Sequence, residues 1–276
     1  MEDTEEVAAR GQLTPLILQI ERDRGVDLSQ YRESYVERRL ATRMRALSLM
    51  TYREYCAYLT AKPTEYARLL DALTVNVTDF FRDPLVWDII RGEVIPSILA
   101  SKATLGHHAV RAWSAGCATG EEPYSMVMAF LSAKGPQPER MLLSVTATDL
   151  DPIALKTAER AEYDIAKIDH IPSVDRARFV TSDERHFRMT PEVTERVRFR
   201  TLDLFADEPP LALDLILCRN VFIYFTREQQ ERVTGVFHRA LARGGYLVLG
   251  RTEKMATLAG KGFGAVSGRE RVYRKL

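Results

Sequence analysis

From Val110 onward, short apolar runs alternate with helical stretches, and that alternation constrains the fold more than any other feature of the sequence. Val110 to Trp113 reads as a strand running into the turn Ser114-Ala-Gly-Cys-Ala-Thr-Gly120, and a helix follows from Glu121 through Ser125 to Ala133. Pro123 suits that helix's first turn, where a missing N–H costs nothing. Leu142 to Thr148 forms the next strand, with Asp149 at its end and a helix from about Asp151-Pro152. Further strands are expected at Val197 to Thr201, Leu213 to Cys218 and Gly245 to Gly250, with a helix over Thr226 to Leu241 and one last strand within residues 265–274. The pattern predicts an α/β fold, a mainly parallel sheet with helices on both faces.

Two stretches break the alternation. Residues 12 to about 75 read as several short helices, and within Tyr35 to Leu47 the residues Val36, Leu40, Met44 and Leu47 form one apolar stripe at helical spacing. Arg38 and Arg45 lie on the opposite face, and Arg39 and Arg43 flank the stripe. That arginine-rich side is either the solvated face of a small bundle or a docking surface for an acidic partner helix. Ala161 to Val197 is polar, with β-like pieces Ala177-Arg-Phe-Val180 and His186-Phe-Arg-Met189, and reads as a hairpin-rich insertion. The expected organisation is a helical domain and linker start over 1–88, then a ligand-binding domain over 89–276 with the insertion at about 161–198.

Composition removes several function classes. The chain has 276 residues and a formal net charge of +1, so the basic excess of a phosphate-backbone binder is missing and no nucleic-acid partner is expected. Its three cysteines, Cys56, Cys117 and Cys218, form no C-x-x-C, and the five histidines form no H-E-x-x-H pair, so neither a disulfide framework nor a metal site is expected. Met1 to Val7 is acidic, unlike a signal peptide, and no apolar run is long enough to span a bilayer. A cytoplasmic protein without membrane insertion, acting as a monomer, is the expectation.

In an open parallel sheet, ligands bind beyond the carboxyl ends of the strands. The turn there is Gly116-x-x-x-Gly120, which lacks the middle glycine that lets backbone approach a pyrophosphate. Glu121 and Glu122 stand where a helix N-terminus would otherwise receive phosphate, and two carboxylates would repel a dinucleotide. S-adenosylmethionine reverses that requirement, because its sulfonium and α-amino groups are cations; the alternative is that both glutamates merely complement the helix dipole. Asp149 is placed to accept hydrogen bonds from ribose hydroxyls, with Asp151 the better helix cap, leaving Asp149 free. Cys218-Arg-Asn-Val-Phe-Ile-Tyr224 brings Arg219, Asn220 and Tyr224 to the same end, and Cys117 and Cys218 read as buried, inert thiols. Ahead of the sheet, Val75-Asn-Val-Thr-Asp-Phe-Phe-Arg-Asp-Pro84 reads as a linker with Thr78 capping a helix, or as a lid reaching back over a cofactor.

Taken together, these segments resemble the chemotaxis receptor methyltransferase (CheR) family. The matching runs are Asn76-x-Thr78-x-Phe80-Phe81-Arg82-Asp83-Pro84, Trp113 through Ser125, Ala147-Thr-Asp-Leu-Asp151 and Cys218 through Phe225. The resemblance implies a class I S-adenosylmethionine methyltransferase domain (Rossmann-like) with an N-terminal all-helical domain and a small β insertion. It implies methyl transfer to glutamate side chains on the helical cytoplasmic region of chemoreceptors, giving γ-methyl esters and S-adenosylhomocysteine. Carried over by position, Asn76, Thr78, Arg82, Glu121, Asp149, Asp203, Leu204, Arg219 and Asn220 would line the cofactor. Arg82 and Tyr224 would sit near the methyl transfer, and Arg38, Arg39, Arg43 and Arg45 would face the receptor. A glutamate nucleophile is already ionised at neutral pH, so no general base is required.

The chain departs from the family pattern in four places. Val75 stands for the usual threonine, Asp203 for an asparagine, and Thr252-Glu253 for a Ser-Glu element. The insertion loop Thr181-Ser-Asp-Glu-Arg-His186 lacks the glycine of relatives that tether to a receptor's C-terminal peptide, so independence of such a tether is expected. Two rival readings are a methyltransferase for small molecules or nucleic acid and a non-catalytic cofactor-sensing adaptor. Against the first, Arg219-Asn-Val occupies the place where base methylating families carry a Pro-Pro-aromatic element; against the second, Arg82 and Tyr224 are present.

Overall fold

The computed structural model describes residues 12–74, 76–133, 142–253 and 262–276. The chain divides into two compact units, Met1–Val75 with Tyr224–Gln229 and Asn76–Ile223 with Gln230–Leu276. Val75, where a threonine is usual, lies outside the described residues.

Among the described residues, the smaller unit holds the α-helices α1 (Thr14–Arg24), α2 (Glu33–Ala46), α3 (Tyr52–Ala61) and α4 (Glu65–Leu73), with a 3-10 turn at Leu28–Gln30. Local chemistry sets their ends. Gly25 closes α1 at φ +72°, a left-handed turn that lets its N–H reach the Glu21 carbonyl at 2.6 Å. Thr51 and Glu54 exchange hydrogen bonds in a capping box that starts α3. Helix α2 buries Val36, Leu40 and Met44, as its stripe predicts, and stops at Ala46, leaving Leu47 half-buried as the cap. These side chains and the fully buried Leu16, Ile20, Tyr55, Leu59 and Leu69 form the core. Each such aliphatic side chain stabilises the fold by roughly 1.5–3 kcal/mol.

The larger unit opens with α5 (Pro84–Ile89), a π turn at Ile90–Val94 and α6 (Ile95–Thr104). Pro96 has no N–H to give the regular i→i−4 bond, which accounts for the widened turn just ahead of it. Then come β1 (Ala109–Ala115), α7 (Glu121–Leu131), β2 (Leu142–Asp149) and α8 (Pro152–Arg160). The insertion comprises β3 (Glu162–Asp164), a 3-10 turn (Ile165–His170), α9 (Ser173–Phe179), β4 (Val180–Ser182) and β5 (His186–Met189). The chain returns through α10 (Pro191–Thr194) to β6 (Val197–Thr201), β7 (Leu213–Cys218), α11 (Arg227–Ala240), β8 (Leu241–Leu249), β9 (Phe263–Ser267) and β10 (Val272–Lys275).

Seven strands pair in the order β6-β2-β1-β7-β8-β10-β9, all parallel except β10, and the insertion contributes a separate sheet β3-β5-β4. Every residue of β7 is buried, the continuous apolar run of a strand covered on both faces. The strand order reverses between β1 and β7, where Ser114 pairs with Leu217, so their carboxyl ends emerge side by side. That is the switch point at which open α/β sheets bind ligands.

Four expectations need correcting. The single strand expected within 265–274 is the hairpin β9–β10, because the polar run Gly268-Arg-Glu-Arg271 turns the chain, with Arg271 at φ +56°. Ala177 to Phe179 is helical, not β. Helix α9 turns Asp175 inward to accept from Ser132 Oγ at 2.5 Å and from Arg91, a burial that a polar surface strand would not provide. Residues 76–88, grouped above with the helical domain, belong to the larger unit, whose core takes in Phe80, Phe81 and Trp87. Thr78 caps no helix, since the next one starts at Pro84.

Candidate functional site

The site is assembled from the glycine turn after β1, the ends of β2 and β6, the loop after β7, and residues 76–83. Gly116 (φ +78°) and Gly120 (φ +94°) give the turn its left-handed corners. A Cβ on Gly116 would strike Val221, and one on Gly120 would lie 2.7 Å from the Ala158 methyl, so both positions exclude side chains on space as well as on backbone angle.

Asp149 lies at the end of β2, nearly buried, and is not free. Its Oδ2 accepts from the Ala118 N–H at 2.8 Å and its Oδ1 from the Asp151 N–H at 3.0 Å. Asp149 thus shapes the turn, while a carboxylate's roughly four acceptor positions leave about two for a ligand. Asp151 caps α8 through the Ile153 N–H at 2.8 Å, as expected, and also accepts from Asn76 Nδ2 at 2.7 Å. Asp203 and Leu204 follow β6, next to Leu202, whose N–H donates to the Asp149 carbonyl at 3.1 Å.

The two glutamates separate by function. Glu121 is fully buried and accepts from Lys167 Nζ at 2.6 Å and Thr119 Oγ1 at 2.7 Å. Glu122 turns to the strand ends, where Ser114 Oγ donates to it at 2.8 Å and the Arg219 guanidinium stands 3.6 Å away. Sequence reasoning weighed both glutamates and singled out Glu121 for the cofactor; in the structure it is Glu122 that meets the strand end through Ser114. Adjacent residues on a helix point about 100° apart, and only the packing of α7 on the sheet decides which faces the switch point.

Arg219 is almost completely buried and ties the segments together, its Nη2 donating to the Arg82 carbonyl at 2.8 Å and to Asp83 Oδ2 at 2.6 Å. The Arg82 carbonyl also accepts from Trp87 Nε1 at 3.1 Å, and the Arg82 guanidinium is itself held by the Val77 carbonyl at 2.7 Å. Phe81 and Asp83, on either side of Arg82, have φ of +48° and +60°, and Ala118 and Asn220 have +47° and +61°. Side-chain-bearing residues in this region each cost of order 1–3 kcal/mol and collect at functional sites. Thr78 is half-buried on the same segment as Arg82. Glu253, from the element that departs from Ser-Glu, is buried and accepts from the Gly250 N–H at 2.5 Å, close to the amides of the Asn220 loop.

Burial raises the carboxyls of Glu122, Asp149 and Glu253 above their ordinary values, ahead of the favourable pull of Arg219 on Glu122 and of backbone amides on the other two. Burial also pushes the Cys117 and Cys218 thiols well up, as for inert cysteines. Buried acids gathered at a switch point suit a cationic ligand such as S-adenosylmethionine. Among the described residues no group of three His, Cys, Asp or Glu could hold a metal, and no helix is long and apolar enough to cross a membrane.

The remaining candidates lie in the smaller unit. Tyr224 packs on the Tyr35 ring, centroids 4.6 Å apart, and its carbonyl accepts from the Arg32 N–H at 2.9 Å. Arg38 and Arg45 are exposed, and Arg39 lies over the Tyr35 ring at 5.5 Å. Arg43 is half-buried and paired within its own unit. Its guanidinium binds both oxygens of the buried Glu65, one of them at 2.8 Å.

Counted along the chain, the main sheet has the order 3-2-1-4-5-7-6 with only its last strand antiparallel, and with the buried acids of its switch point this defines a Rossmann-like S-adenosylmethionine-dependent methyltransferase. Residues 76–271 match the CheR methyltransferase SAM binding domain and residues 12–74 the CheR methyltransferase all-alpha domain, so the chain belongs to the CheR methyltransferase family. It is 32% identical over 248 residues to a chemotaxis protein methyltransferase of Listeria innocua, covering 90% of this chain and 92% of that one. It is 32% identical to a probable chemotaxis protein methyltransferase of Rhizobium etli, over 85% of this chain and 89% of the other. Chemotaxis protein methyltransferase 2 of Pseudomonas aeruginosa is 31% identical, over 76% and 74%.

Proposed function

We propose that the protein transfers the methyl group of S-adenosylmethionine to glutamate side chains on the helical cytoplasmic region of chemoreceptors, leaving γ-methyl esters and S-adenosylhomocysteine. The reaction would take place in the cytoplasm, by a monomer, without metal or nucleic acid. The observation that carries the reading is the cluster of Glu122, Asp149 and Arg219 around the β1–β7 switch point. It offers negative charge to a cationic donor where a dinucleotide site would offer neutral amides. The names of the relatives point to the same pathway.

The cofactor supplies an electrophilic methyl on a positively charged sulfur. The protein's residues have to position its partner. Asn76, Thr78, Asp149, Asp203, Leu204, Arg219 and Asn220 would line the cofactor, with Glu122 taking the place expected for Glu121. A glutamate with an ordinary pKa of about 4.3 arrives as the carboxylate. Orienting it against the methyl supplies up to roughly 7–11 kcal/mol of the barrier reduction. Arg82 suits this work because its main chain is fixed by Arg219 and Trp87 and its guanidinium keeps N–H groups beyond the one spent on Val77. Tethering through the insertion plays no part in this reading, and the β4–β5 turn is closed on itself by Asp183, which accepts from the Arg185 and His186 amides at 2.8 Å.

The test is radiolabelled methyl transfer to receptor-containing membranes with mass-spectrometric mapping of the ester. Loss of label when acceptor glutamates become glutamine supports the reading; label elsewhere, or on a small molecule, sinks it. In the same assay Arg82→Ala should lower turnover far more than cofactor affinity. Tyr224→Phe removes only a hydroxyl, and unchanged turnover would take that hydroxyl, though not the ring, out of the mechanism.

A further inference from the structure

The insertion does more than interrupt the fold. Its Tyr163 hydroxyl donates to the Thr119 carbonyl at 2.8 Å, and Tyr163 and Phe187 pack on Phe80 with centroids 4.9 and 5.6 Å away. His170 Nδ1 lies 2.6 Å from Asp79 Oδ1. Lys167, whose side chain is 37% exposed, extends to the fully buried Glu121 at the first position of α7. One short turn of the insertion, Ile165–His170, therefore grips both the glycine turn and the segment that carries Asn76 and Arg82.

We propose that Lys167 is a positioning residue for the cofactor, acting through Glu121, and that the insertion is a brace that sets cofactor affinity. Glu121 needs a cation because it is buried, and Thr119 alone gives it only a neutral hydroxyl. With Lys167 in place, the carboxylate holds the Thr119 hydroxyl and the turn keeps the shape that Asp149 reads through Ala118. Without it, a buried charge is left unpaired, and the Thr119 hydroxyl that ties Glu121 to the turn loses its fixed acceptor. Because binding and conformation are linked reciprocally, anything that displaces the Ile165–His170 turn changes cofactor affinity, and bound cofactor holds that turn in place.

This inference rests on the cofactor reading above, and the experiment separates the two. Calorimetric titration of S-adenosylhomocysteine into the wild-type protein tests the cofactor itself; no binding there removes the site assignment. Given wild-type binding, Lys167→Met should weaken Kd by about tenfold, which corresponds to roughly 1.4 kcal/mol. Lys167→Met combined with Glu121→Gln should recover most of the loss, because the stranded charge is gone, and Lys167→Arg should retain affinity. A general packing defect would make the double variant worse than the single one. Unchanged affinity in Lys167→Met, or a double variant no tighter than the single, overturns the proposal, and the Arg variant reads it if the Met variant fails to fold.

Discussion

Arginine has opposite roles in the two units. In the larger one, Arg219 is 3% exposed and spends its hydrogen bonds on a carbonyl and a carboxylate of one remote segment, with a third partner, Glu122, nearby. On α2 of the smaller unit, Arg38 and Arg45 stand in solvent, while Arg43 is committed to Glu65 and Arg39 lies over the Tyr35 ring. The difference teaches where charge builds structure and where it stays available. A buried guanidinium fixes a remote stretch of backbone to its own loop. An exposed one leaves the fold nearly indifferent and remains free for a partner.

The largest expected effect tests the buried side of that contrast. Arg219→Met leaves Glu122 and Asp83 without their cation and should cost about 3–5 kcal/mol in urea denaturation, with S-adenosylhomocysteine binding lost. Normal binding by this variant would show that the bracket around Arg82 is dispensable. Arg43→Ala, which leaves the buried Glu65 short of donors, should destabilise the protein by about 1–3 kcal/mol.

Glu122→Gln sharpens the comparison from the acid side. Burial raises the Glu122 carboxyl above its ordinary 4.5, so the folded protein holds that proton more tightly than the unfolded chain does. The group therefore favours folding below about pH 4.5 and works against it as pH rises through the folded value. The glutamine variant should melt higher than wild type at neutral pH without cofactor, with the gain fading toward pH 4.5, and should bind S-adenosylhomocysteine more weakly. A lower melting temperature at neutral pH would mean that Arg219 outweighs burial. The smallest effect belongs to Arg38→Ala and Arg45→Ala, whose stability should stay within about 0.5 kcal/mol of wild type. Their methyl-transfer KM for receptor should rise if α2 docks the acceptor, and an unchanged KM removes them from docking.

How much of this was legible in the sequence depended on whether the signal was periodic or relational. The α2 stripe was readable because burial imposes a helical repeat on the chain itself, and the strand at Leu213 to Cys218 because burial on both faces leaves a continuous apolar run. Gly116 and Gly120 were readable because backbone angles demand glycine there. Glu122 was not separated from Glu121, since one residue of helix rotation decides between them and the sheet supplies that decision. Asp149 looked free because the Ala118 amide that claims it lies on a different segment. The partner of Arg43 was not legible because Glu65 sits two helices away. Lys167 carried no local signal at all: a lysine in a polar stretch gains meaning only from the buried carboxylate it meets.

The contact between Gly116 and Val221 has its own consequence for how the chain can change. Two runs far apart along the polypeptide touch with no room for a methyl group between them, so each is a mould for the other. A graft that imports a relative's first turn into this protein has to bring that relative's loop after β7 with it, and in laboratory recombination crossovers between the two runs should be the ones that fail.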